Sequence, residues 1–74
     1  MTTATFGAQV RRHRWRLQMK QIDLAKKAGI SSVYLCQIEH DNRHPSDAVA
    51  LRLAKVLGCR YEATRRLVRR KQKQ

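Results

Sequence analysis

Residues 21–39 constrain this chain more than any other stretch. Leu24 and Ala25 stand on a short Ala/Leu-rich segment that Gly29 closes, and Leu35 and Ile38 share one face of the segment opened by Ser31. A glycine there ends a helix in the left-handed conformation at no steric cost, and a serine is a strong N-cap for the next. Two helices this short gain stability only by packing closely on each other. Ala25 lies where the second would cross, and a larger side chain at that point would pry the pair apart. Five positions agree in register, so the spacing predicts two short helices crossing over a tight turn.

The flanks read as helices too. Phe6, Val10, His13 and Leu17 recur at helical spacing over 5–18, with Thr5 available as N-cap. His40 to His44 is a polar loop. Pro45, Ser46 and Asp47 open a fourth helix whose stripe is Val49, Ala50, Leu53, Ala54 and Leu57, and Gly58 ends it. Tyr61, Leu67 and Val68 predict a fifth helix over about 61–70, followed by a tail at 71–74. The expected fold is all-α, a single compact domain of five helices. At 74 residues there is no room for a second core, and 42% hydrophobic residues suffice for one. No apolar run approaches the roughly 18–20 residues that span a bilayer. No secretion signal is visible, and Cys36 and Cys59 form no CxxC pair. The expectation is a reduced, cytoplasmic protein.

The spacing at 21–39 is that of a DNA-binding helix-turn-helix. The run Gln21-x-x-Leu24-Ala25-x-x-Ala28-Gly29-Ile30-Ser31-x-x-Tyr34-Leu35-x-x-Ile38-Glu39 closely resembles the Cro/CI-type (XRE) helix-turn-helix family, the λ-repressor-like fold. The resemblance runs from Phe6-Gly7, Val10 and Arg14 through Arg43-x-Pro45-Ser46 to Leu53–Cys59, covering about residues 6–59. Three positions depart from the pattern. Asp41 replaces the usual glycine after the third helix, Lys20 stands where Ser or Thr usually caps the second, and Cys36 occupies a position where Ser is common.

The resemblance implies that the third helix enters the major groove. Its outward residues Ser32, Val33, Cys36 and Gln37 are then the base-contacting candidates. Gln37 suits adenine, Val33 a thymine methyl, and Ser32 is a tolerant hydrogen-bonder. Phosphate contacts fall to Gln21 at the second helix's start, where free N–H groups favour an anion, then to Tyr34 and Arg43, with Lys20 and Asn42 behind them. Tyr34 serves equally as a packing residue. The family also pairs an Arg on the first helix with the Glu ending the third, here Arg14 and Glu39.

Charge supports a polyanionic partner: 17 Lys and Arg stand against five Asp and Glu, net +12. Segment 21–44 is nevertheless formally neutral, with Lys26, Lys27 and Arg43 balanced by Asp23, Glu39 and Asp41. The excess lies in Arg11, Arg12, Arg14, Arg16 and Lys20, and in the seven basic residues from Arg60 to Lys73. The tail reads either as a non-specific arm or as a solvated face. Cys36, His40, His44 and Cys59 do not read as zinc ligands, because the helix should end near Glu39 or His40, which breaks the face the histidines would share with Cys36. No nucleophile–base spacing or phosphate-cradling loop appears, so neither an enzyme nor a cofactor or small-molecule effector is expected.

The expected function is a sequence-specific regulator of double-stranded DNA, a repressor acting as a homodimer on a palindromic operator. Tyr61, Leu67 and Val68 are the dimer-interface candidates, unless the last helix merely completes the monomer's core. A DNA-binding antitoxin, or a basic protein that binds DNA or RNA without sequence preference, are the competing readings.

Overall fold

The computed structural model describes residues 5–62 and 66–69. Four helices come first: α1 (Phe6–Arg16), α2 (Gln21–Ala28), α3 (Ser32–Glu39) and α4 (Asp47–Leu57). Two short strands follow, β1 (Cys59–Tyr61) and β2 (Leu67–Arg69), paired antiparallel with Tyr61 opposite Leu67 and Cys59 opposite Arg69.

Local chemistry sets most helix boundaries. The side chains of Thr5, Ser31 and Ser46 accept from Ala8, Tyr34 and Val49 N–H at 3.1, 3.0 and 3.3 Å, so α1, α3 and α4 begin on side-chain caps. Lys20, before α2, makes no such bond. The ends use left-handed residues: Gln18 (φ 53°), Gly29 (φ 73°), Asp41 (φ 63°) and Gly58 (φ 73°). After α1, for example, Gln18 N–H donates to Trp15 O at 2.9 Å and Met19 N–H to Arg14 O at 3.1 Å, the paired pattern that satisfies last-turn carbonyls.

Val10, Leu24, Leu35 and Leu53, one from each helix, are fully buried and form the centre of the core. Ala25, Ala28, Ala50 and Ala54 bring α2 and α4 close around them. Gly7 does the same for α1 and α3. A Cβ there would run into the Ile38 carbonyl oxygen and crowd the Asp41 carboxylate.

The expected fifth helix is instead the β1–β2 hairpin. Burial alternates along β1, with Cys59 inside, Arg60 outside and Tyr61 half-covered, and Leu67 faces in while Val68 is half-exposed. Tyr61 and Leu67 fit a helical stripe by spacing, but as register partners they reach the same face from two strands. That face caps the core: Tyr61 meets Phe6 edge-on at 5.9 Å between centroids, and its hydroxyl donates to Asp47 Oδ1 at 3.1 Å. Residues 63–65 and 70 of the expected 61–70 helix, and the tail at 71–74, lie outside the described residues.

Two backbone positions should respond oppositely to substitution. Gly7→Ala should cost about 2–3 kcal/mol, because the helix pair must part to admit the methyl. Gln18→Gly should gain up to about 1 kcal/mol by relieving the left-handed conformation. Urea melts of both variants beside wild type check the pair.

Candidate nucleic-acid interface

α3 is positioned from both ends. Ser31 caps its start, and Leu35 and Ile38 anchor one face in the core. On the opposite face stand Ser32, Val33, Cys36 and Gln37, at i, i+1, i+4 and i+5. Val33 is 66% exposed, an apolar side chain left largely in solvent. The other three are half-buried at their bases. Cys36 Sγ lies 3.6 Å from His40 Nδ1, which also sits 2.8 Å from the Cys36 carbonyl oxygen. Tyr34 is half-buried and packed against the core cluster.

The C-terminal end of α3 is fixed by an ion pair. Arg14, in the last turn of α1, donates from Nε to Glu39 Oε2 at 2.8 Å and from Nη2 to Oε1 at 3.0 Å. Its third arm, Nη1, donates to Met19 O at 3.0 Å, tying in the α1–α2 turn. The Glu39 side chain is 1% exposed and that of Arg14 12%. Gln21 Nε2 donates to Glu39 Oε1 at 3.1 Å, so the first residue of α2 joins the same cluster. This last contact was not read from the sequence; a Gln eighteen residues from its acceptor carries no local signal.

The remaining candidates lie at the two ends of this frame. The uncapped α2 start, with exposed Lys20 and half-buried Gln21, forms one. The loop after α3 forms the other, with Asn42 and Arg43 exposed. Asp41 shapes that loop: its left-handed backbone turns the chain, and its Oδ2 accepts from Thr5 Oγ1 at 2.9 Å. Among the described residues no three His, Cys, Asp or Glu side chains cluster as a metal site, and Cys59 is buried beneath the hairpin.

Leu67 is buried within the protomer, whereas Tyr61 and Val68 keep part of their surface in solvent. Of the three residues expected at a dimer interface, the fold therefore commits Leu67 to the core. No helix among the described residues is long and apolar enough to cross a membrane.

Two short helices locked across a glycine turn, the second showing a polar and apolar outward face, define a helix-turn-helix domain. A family model described as helix-turn-helix matches residues 10–63. The fold is similar to that of the P22 c2 repressor in complex with synthetic operator 9T. That alignment has a TM-score of 0.75 and 33% identity, over 78% of this chain and 88% of that one. SinR of Bacillus subtilis, a master regulator for biofilm formation solved in complex with DNA, aligns with a TM-score of 0.68. Its identity is 28%, over 72% of this chain and 86% of that one. The restriction-modification controller protein C.AhdI from Aeromonas hydrophila aligns with a TM-score of 0.69 and 31% identity, over 70% and 79% of the two chains. No curated protein sequence matches significantly. The chain belongs to the helix-turn-helix family, in its Cro/CI-like (XRE) branch of DNA-binding transcription regulators.

The ion pair yields a sharp stability test. Glu39→Ala strands the Arg14 guanidinium and the Gln21 amide in a water-poor site, and should cost about 3–5 kcal/mol in a urea melt. A loss below about 1 kcal/mol is the signature of a solvated surface pair and contradicts the buried one.

Proposed function

We propose that this protein is a sequence-specific regulator that binds double-stranded DNA through the outward face of α3, and that it represses transcription by occupying its site as a homodimer. The observation that carries this reading is the composition and exposure of that face. Val33 stands in water at 66% exposure between Ser32, Cys36 and Gln37, a set able to meet thymine methyls and base-edge hydrogen-bonding groups together. Charged side chains are absent from it, so its contribution is discrimination between bases.

Anchoring then falls to the two ends of the frame. At the α2 start, leading N–H groups without a side-chain cap, with Gln21 and Lys20 beside them, suit one phosphate. Arg43 and Asn42 suit another, and Tyr34 reaches the backbone only with its hydroxyl, since its ring is occupied in packing. Gln21 Nε2 gives one N–H to Glu39, and its second N–H is the donor that suits the phosphate. The repressor role rests on the P22 c2 likeness, and the dimer on the small footprint of one α3. Two such helices would meet half-sites about 34 Å apart. With Leu67 committed to the core, the dimer contact is assigned to Val68 and the open edge of Tyr61.

Specificity and charge should separate on mutation. Gln37→Ala should cost about 1–3 kcal/mol on the selected site and relax preference at one base pair, with the salt dependence unchanged. Arg43→Ala should weaken selected and random DNA alike and lower the slope of log K against log salt by about 0.9 per protomer. Titrations of both variants at several salt concentrations decide it. If the two phenotypes are exchanged, α3 is not the reading helix.

A further inference from the structure

Trp15 is the chain's only tryptophan, and it is 64% exposed. It lies on α1, whose buried face is formed by Phe6, Gly7 and Val10, so the indole covers none of the core. One turn earlier, the Arg11 guanidinium sits 5.6 Å from the indole centroid, within cation–π range. At 100° per residue, Ala8, Arg11, Arg12, Trp15 and Arg16 fall on one outward arc of the helix. Arg14 alone among the α1 arginines turns inward, to Glu39.

Among the described residues these arginines make no ion pair. The five Asp and Glu side chains, Asp23, Glu39, Asp41, Asp47 and Glu62, all belong to described residues. Glu39 is held by Arg14, Asp41 accepts from Thr5, Asp47 accepts from Tyr61, and none pairs with Arg11, Arg12 or Arg16. α1 itself contains no acid. The arc is therefore a basic surface with one aromatic platform at its centre, distinct from the uncharged outward face of α3.

The choice of partner follows from what each polyanion presents. Duplex DNA offers phosphates but hides the faces of its bases, so an indole gains nothing there that another arginine would not supply. An acidic protein segment would meet the charge, yet a tryptophan anchor in a protein interface is ringed by residues that exclude water, and here the indole stands 64% exposed beside the Arg11 guanidinium. A single strand offers phosphates and an open base face together. We propose that the outward face of α1 is a second nucleic-acid surface that takes single-stranded DNA or RNA, stacking an unpaired base on Trp15 and placing adjacent phosphates on Arg11, Arg12 and Arg16. This surface does not depend on the reading of duplex by α3.

Because Trp15 is the chain's only tryptophan, its fluorescence reports this face alone. In the full chain at low salt, oligo(dT) and oligo(rU) of about ten nucleotides should quench Trp15, and the arm that saturates first identifies DNA or RNA as the better ligand. By anisotropy of a labelled oligonucleotide, Trp15→Leu should weaken binding about tenfold with its salt dependence unchanged, Trp15→Phe should retain most of it, and Arg11→Ala should weaken it and make its salt dependence shallower. Gln37→Ala should leave it unchanged, which keeps this result separate from the duplex reading. A urea melt of Trp15→Leu should overlay wild type, since the ring is outside the core. The proposal is overturned if Trp15→Leu binds the oligonucleotide within about twofold of wild type. It is equally overturned if polyglutamate quenches Trp15 as strongly as oligo(dT), which would make the face a docking surface for an acidic protein.

Discussion

The Arg14–Glu39 pair holds the working part of this molecule in register. A carboxylate at the end of a helix faces the negative end of the helix dipole, so Glu39 is poorly placed on α3 considered alone. It is stable there because Arg14 meets both of its oxygens, Gln21 adds a further donor, and the cluster is closed to water. Desolvating two charges is expensive, and the arrangement is tolerable because the carboxylate accepts three hydrogen bonds in return. Its consequence is geometric. One side chain of α1 fixes the end of α3, the turn at Met19 and, through Glu39, the start of α2.

A second clamp acts at the other end of α1. Thr5 caps that helix and also donates to Asp41, while Gly7 lets the helix approach the Ile38 carbonyl. α1 is thus tied to the end of α3 near its first residue and again in its last turn. Both ties lie next to the groups assigned to phosphates, Arg43 and Asn42 on one side and Gln21 and Lys20 on the other. Held this way, α3 can keep an uncharged outward face, which under the proposed function serves discrimination between bases. Phosphate contacts set position and affinity, and base contacts set sequence, so the neutrality of residues 21–44 fits a division of labour in which the flanks supply the charge.

The likeness to the P22 c2 repressor and to SinR extends over most of this chain, and the match to the family model covers residues 10–63. The arginines and tryptophan on the outer face of α1 contribute nothing to the buried core, which Phe6, Gly7 and Val10 supply from this helix. They occupy the side of the helix turned away from the core, where substitutions cost little stability and are free to acquire other uses.

Much of the fold was legible because its determinants are local. Thr5, Ser31 and Ser46 cap within three residues, Gly29 and Gly58 end helices through their own backbone, and Leu24, Ala25, Leu35 and Ile38 mark facing stripes by their spacing. The outward set Ser32, Val33, Cys36 and Gln37 followed once α3 had a buried face. The hairpin was not legible, because Tyr61, Leu67 and Val68 satisfy a helical stripe and a pair of alternating strands equally well at this length. Contact with Phe6, and the burial of Cys59 and Leu67 against the helices, decided between them. The Gln21–Glu39 contact and the need for Gly7 were hidden for the same reason. Where the helices begin, end and turn their apolar sides is written along the chain, since those preferences act over a few residues. Tertiary structure alone decided which distant groups meet, because that depends on packing that no local stretch encodes.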